Sequence, residues 1–197
     1  MKKLIVNMAN IYGIIIILLF FLSIPLYAQN TGTKTLWLDE LGVVYVTAGW
    51  GTPHANKSIE GNPITIGGKV YDRGIGTHAN SYYRINLDGK AVRFTAFVGI
   101  DDEVNGDISA SVEFIVNGLD KDGNSIKLWT SGVMEANQLA EEVDVNIEGY
   151  YGIELIVTDA GDGNSHDHAD WAEAKIEHLG NKPEPEKPWF VNANMVE

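Results

Sequence analysis

The stretch VRFTAFV, Val92 to Val98, decides the fold: Val92, Phe94, Ala96 and Val98 alternate with Arg93, Thr95 and Phe97, the period of a strand with one face on a core. Working outward, the same period recurs. Ala110, Val112, Phe114 and Val116 alternate with Ser111, Glu113 and Asn117. Val143, Val145 and Ile147 face away from Asp144, Asn146 and Glu148, and Ala172, Ala174 and Ile176 from Glu173, Lys175 and Glu177. Strands with one apolar and one wet face belong to antiparallel sheets. Asp88-Gly89 and Asp122-Gly123 lie between such runs and predict hairpins. Beyond the N-terminal segment no window of helical length carries an apolar stripe, and Leu36 to Leu41 suits only a short helical turn. Many short strands joined by glycine-rich turns imply an all-β chain, a sandwich or jelly roll of antiparallel strands.

The two ends read differently. Lys2 and Lys3 precede an apolar run from Ile14 to Ile24, and Ala28 offers a small residue before Gln29. Residues 1–28 are therefore expected to be a secretory signal peptide, with secreted, periplasmic or cell-surface destinations. Leu26 is a poor residue two places before the cut, which leaves an uncleaved anchor as the alternative, although the run is short for a spanning helix. No membrane contact beyond this segment is expected. From Gly180 to Pro188 the sequence GNKPEPEKP has the semi-rigid, extended character of a linker. The expected organisation is a β-sandwich over residues 35–180, then a Pro-rich linker and short tail over 181–197.

The chain has no cysteine, which excludes disulfides, thiolate catalysis and sulfur-based zinc sites. An exported domain without disulfides must depend on its core, helped or not by a structural calcium ion. The formal net charge is −13 and becomes −15 once Lys2 and Lys3 leave with the signal, since residues 1–28 hold no acidic side chain. Such a surface repels phosphate backbones, so nucleic acid is not an expected partner.

Three segments are more polar and more particular than strand packing requires. GWGTPHANKS, Gly49 to Ser58, sets Trp50 in an irregular loop, either as a flat apolar platform for a sugar ring or as a plug at the end of the sandwich. RGIGTHANS, Arg73 to Ser81, offers His78 and Asn80 as directional donors and acceptors after two glycines. DAGDGNSHDHADW, Asp159 to Trp171, crowds four Asp and two His into a long connection, the kind of loop that is usually functional or disordered. Its Asp159, Asp162, Asp167 and Asp170 are hard oxygen ligands suited to calcium, as is the pair Asp101 and Asp102 after a strand end; the candidate metal set is Asp101, Asp102, Asp159 and Asp162. A plain solvated acidic loop is the alternative, and zinc on His166 and His168 lacks a clear third ligand. Paired carboxylates also raise glycoside hydrolysis. No GxSxG elbow, phosphate loop or HExxH helix is present.

Taken in order, GWGTPHANKS, RGIGTHANS, VGIDDE (Val98 to Glu103), LWTSGVM (Leu128 to Met134) and DHADWAEAKI (Asp167 to Ile176) resemble the NPCBM domain, the "novel putative carbohydrate-binding module" also called carbohydrate-binding module family 51. The likeness runs from about Leu36 to Leu179. It implies a galactose-binding-like jelly roll, a galactose-containing glycan as partner, and attachment to α-galactosidase-like glycoside hydrolases. The chain itself is expected to be non-catalytic. Carbohydrate-binding candidates are Trp50, His54 and Asn56 in the first loop, His78 and Asn80 in the second, and His168, Asp170 and Trp171 in the third. The alternatives are a small glycosidase using carboxylates such as Asp102 or Asp170, and an interaction module that keeps the fold without a sugar site.

Overall fold

The computed structural model describes residues 32–104, 106 and 110–187; the expected signal peptide and most of the tail lie outside them. Thirteen strands form among the described residues: β1 (Lys34–Trp37), β2 (His54–Ala55), β3 (Ile64–Ile66), β4 (Lys69–Tyr71), β5 (Gly74–His78), β6 (Ser81–Asn86), β7 (Ala91–Ile100), β8 (Ser111–Leu119), β9 (Ser125–Glu135), β10 (Glu141–Asn146), β11 (Gly152–Thr158), β12 (His168–His178) and β13 (Glu184–Glu186). Leu38–Leu41 makes the short helical turn expected there, of 3-10 type.

One sheet has the order β10-β7-β12-β5-β2, with β1 also on β12, and the other the order β13-β6-β11-β8-β9. Every pairing is antiparallel. The inward residues of β7 and β8 that set the period, Phe94, Ala96, Val98, Val112, Phe114 and Val116, are all buried in one cluster with Ile153, Leu155 and Val157 of β11. Two sheets pressed together on alternating residues make the β-sandwich that the period of two implies.

Two turn readings part company. Asp122-Gly123 joins β8 to β9 as a hairpin, with Leu119 opposite Ser125. Asp88-Gly89 does not make one, because β6 and β7 belong to different sheets. The local chemistry is as expected, with φ of 51° and 63° at the two residues and Lys90 N–H donating to the Leu87 carbonyl. However, Leu87 and Ala91 on either side are both buried, so the turn carries the chain over the edge of the core from one sheet to the other. The proline-rich stretch also departs from a free linker: Glu184–Glu186 pairs with β6 as an edge strand, a place where proline's missing N–H is tolerated.

Strand β12 departs from simple alternation. Its register against β7 shifts between Ala172 and Lys175, and Glu173 sits at φ 47°, the mark of a β-bulge. Before the bulge Ala169 and Trp171 enter the main core; after it Ala174 and Ile176 do. Ala172, expected to share a face with Ala174 and Ile176, instead joins a second cluster with Ile64, Ile66 and Tyr71. That cluster forms where the β3–β4 hairpin lies on the outer face of the larger sheet.

Candidate functional site

The bulge decides which side of the sheet each residue of HADWA serves. Trp171 is in the core, edge-on to Phe114 with ring centroids 5.1 Å apart and close to Phe94 at 6.1 Å, and only 3% exposed. It is a packing residue, which corrects its placement among the sugar contacts. His168 and Asp170, alternating with it, lie on the opposite face.

Asp170 is fully buried. It pairs in register with Gly76 on β5 and Gly99 on β7, and both glycines are required by close approach. A Cβ at Gly76 would stand 2.3 Å from the Lys57 carbonyl oxygen, and one at Gly99 2.4 Å from Ile66 Cγ2. The chain from Lys57 to Ile66 thus lies directly on the sheet over Asp170. Burial first, then the neighbouring Asp101, Glu103 and Asp102, push the Asp170 carboxyl well above the ordinary carboxylate range. With both carboxyls ionised neither Asp170 oxygen has a donor; with the proton on Asp170 the contact with Asp101 becomes a hydrogen bond. Asp170 is therefore a sealed structural acid, not a sugar contact.

The four candidate metal ligands do not assemble. Asp101 accepts from the Thr65 and Glu103 amides at 2.9 and 2.8 Å, and Asp102 from the Gly67 and Gly68 amides at 2.9 and 2.7 Å. Together they fasten the β3–β4 hairpin. Asp159 exchanges hydrogen bonds with Asn80, and Asp162 accepts from Ser111 Oγ. Among the described residues no three His, Asp or Glu side chains are grouped to hold a metal ion.

What does assemble is a cleft of about 490 Å³ at one end of the larger sheet, lined by Gly49, Trp50, Glu60, His78, Asn164, Ser165, His166 and His168. Trp50 is 53% exposed. Its ring lies nearly parallel to His168, 16° between planes with centroids 5.6 Å apart, and 5.7 Å from His78, an offset stack that aromatic quadrupoles favour. A Cβ at Gly49 would fall 2.3 Å from the Ala79 carbonyl oxygen, so the backbone before Trp50 is pressed against the end of β5. His78 and His168 are register partners across β5 and β12.

Both imidazoles are anchored. His78 Nδ1 lies 2.6 Å from the Ala79 carbonyl oxygen, which can only accept, so this nitrogen donates. Burial, reinforced by His168 and His166, outweighs that bond and holds His78 below the ordinary histidine value. His168 Nδ1 donates to Glu103 Oε1 at 2.7 Å. Glu103 Oε2 accepts from Ser58 Oγ at 2.6 Å and Asn62 Nδ2 at 2.9 Å. Burial alone would raise Glu103; these three donors overcome it and lower the carboxyl instead. An indole face beside polar groups held from behind suits a ring that is apolar on one face and ringed with hydroxyls.

Of the remaining candidates, three lie outside the cleft lining. Half-buried His54 is on β2 opposite Gly76. Asn56 is turned to the Gly74 amide and Asp39, and Asn80 clamps the start of the Asp159 loop. The residues that sequence reading passed over are Glu60, Asn164 and Ser165; Glu103 and His166 stood out only as part of an acidic strand end and as a weak zinc candidate. Glu103 stood in the acidic string Asp101-Asp102-Glu103, where nothing local separates the carboxylate that orients a histidine from those that bind amides.

The model of the NPCBM/NEW2 domain matches residues 34–177. The chain is 33% identical over 150 residues to alpha-1,3-galactosidase B of Akkermansia muciniphila, covering 74% of this chain and 18% of the relative. It is 36% identical over 117 residues to a putative endo-alpha-N-acetylgalactosaminidase of Renibacterium salmoninarum, covering 59% and 7%. The chain thus spans under a fifth of either enzyme's length. Among solved structures it resembles the CBM51 of Clostridium perfringens GH95 in complex with methyl-galactose, at TM-score 0.63 and 33% identity, covering 73% of this chain and 99% of that one. It also resembles CBM51-2 with the INT domains of Clostridium perfringens ZmpB in complex with GlcNAc, at TM-score 0.66 and 30% identity, covering 76% and 33%. A match over most of the described sandwich, joined to the same fold in these modules, shows that the chain belongs to the NPCBM/NEW2 domain family of carbohydrate-binding modules.

Proposed function

We propose that the chain is an exported, non-catalytic module that binds the terminal, galactose-type residue of a glycan in the Trp50 cleft and holds an attached or associated hydrolase near its substrate. The observation that carries this reading is the half-exposed Trp50 stacked on His168 beside His78, in a chain 33% identical to a module crystallised with methyl-galactose. The kinship to short portions of long glycosidases supports an accessory role. The burial of Asp170 and the two amides that Asp102 accepts from weigh against these carboxylates as the acid and nucleophile of a glycosidase. A single shallow site of this kind binds at about millimolar Kd, about −4 kcal/mol, and gains retention from repeated copies or epitopes.

Calorimetric titration of the chain with methyl-galactose and with GlcNAc tests the reading. Saturable binding that Trp50→Ala abolishes is expected. No binding of either sugar, or an unchanged Kd in Trp50→Ala, overturns it.

A further inference from the structure

Two of the three imidazoles that border the cleft, those of His78 and His168, have the same nitrogen committed. His78 Nδ1 donates to the Ala79 carbonyl at 2.6 Å and His168 Nδ1 donates to Glu103 at 2.7 Å. In a neutral ring with Nδ1 as donor, the other nitrogen is an acceptor. Neither Nε2 has a hydrogen-bond partner among the described residues. Glu60 adds carboxylate oxygens to the same lining, and no arginine or lysine contributes to it. The Asn164 side-chain amide, a potential donor, is directed at the Ala79 carbonyl. The other side-chain donors of the lining, the Trp50 indole N–H and the Ser165 hydroxyl, which lies 3.1 Å from His166 Nδ1, are uncharged, so the cleft sets carboxylate and imidazole acceptors beside neutral donors, in a chain of formal net charge −13.

We infer that this cleft selects uncharged sugars that present free hydroxyls and turns away sugars bearing a sulfate or carboxylate, a specificity that rests on the sugar-binding reading above. A hydroxyl donates as readily as it accepts and so satisfies these nitrogens and carboxylate oxygens. Sulfate and carboxylate oxygens only accept; facing the two Nε2 atoms and Glu60 they lose their water without meeting an arginine or lysine, and they approach the negative charge of Glu60. The buried Glu103 is the positioning residue of this arrangement: its bonds to His168, Ser58 and Asn62 fix the ring tautomer from behind.

The test compares methyl-galactose with its 6-O-sulfate and 3-O-sulfate by calorimetry, at a pH well above the ordinary histidine range and at about 0.01 M and about 1 M salt. The expected result is that both sulfates bind at least about tenfold more weakly at low salt. The gap should narrow at high salt and in Glu60→Gln. Equal or tighter binding of either sulfate overturns the inference while leaving sugar binding intact. An exclusion that neither salt nor Glu60→Gln relaxes also overturns it, as the mark of a steric wall. If methyl-galactose itself does not bind, the sugar-binding reading and this specificity fall together. Long-range ¹H–¹⁵N spectra give an independent check: at the same pH His78 and His168 should both show Nδ1 protonated and Nε2 bare, and the reverse tautomer in either ring overturns the inference.

Discussion

Asp167 is the place where pH should act most visibly on stability. It is fully buried; one oxygen accepts from the Ser111 amide at 3.1 Å and the other has no partner. Burial, abetted by Asp162 and Asp159 and opposed by the Ser111 bond, pushes its carboxyl up to about 7 from 3.8. Between those two values the folded chain holds a proton that the unfolded chain has released. Stability must therefore fall as pH rises through this window, and the loss is complete above about 7. At about 1.4 kcal/mol per pH unit the ceiling is about 4 kcal/mol, and screening by nearby solvent reduces this to about 2 kcal/mol. Asp167→Asn keeps an oxygen for Ser111 and removes the titration. In urea unfolding at pH 4 the variant should match the parent; at pH 7.5 it should be more stable by about 2 kcal/mol. A variant no more stable at pH 7.5, or a difference of the same size at both pH values, refutes the reasoning.

Further outcomes follow from the same geometry. Trp171→Ala should cost about 3 to 5 kcal/mol of stability as a core deletion, whereas Trp50→Ala, losing a half-exposed ring, should cost about 1 kcal/mol or less; similar losses in the two variants by urea unfolding would contradict the division of roles. Gly49→Ala places a methyl group against the Ala79–Asn80 backbone, so Trp50 should be displaced and sugar affinity lost with only about 1 to 3 kcal/mol of destabilisation; unchanged affinity by calorimetry would show that the loop yields at no cost. Burial holds His78 and His178 below the ordinary 6.5; the unfolded chain then binds the extra protons, and the contribution of these two groups to stability declines as pH falls below about 6.5, opposite in sign to that of Asp167. His178→Gln should flatten that acid limb of the melting profile, and an identical limb in the variant counts against the assignment.

Much of the sandwich was readable in the chain because its cause is local. In β8, in β10 and in β7 from Phe94 onward the core takes the expected side of the alternation; at the start of β7 Ala91 enters the core in place of Val92, which is only half-buried. What could not be read depends on contacts between distant segments. The bulge at Glu173 leaves no mark in DWAEAKI, yet it sends Trp171 inward and His168 and Asp170 outward, so residues that look alike in polarity and spacing divide between core and cleft. Asp88-Gly89 has hairpin chemistry, but only the partners of β6 and β7 make it a corner. At the site, Trp50 and His78 were legible as unusual loop residues, and the structure sets their rings 5.7 Å apart. Glu103 and Glu60 reach the site through the fold of the Lys57–Ile66 segment over the sheet, which no spacing of residues announces. The Asp residues are ambiguous in the sequence because an acidic side chain that accepts from backbone amides has the same composition as one that holds a cation.

The bulge in β12 has a further consequence. His168, beneath the indole of Trp50, and Trp171, wedged between the phenylalanines of the interior, are three positions apart on one continuous backbone. The floor of the cleft thus shares a strand with the interior, a placement that should lessen the ordering a saccharide would demand of the site. For the proposed sugar site, weak affinity would then go with rapid capture and rapid release, the kinetics that would let a tethered module sample one chain end after another.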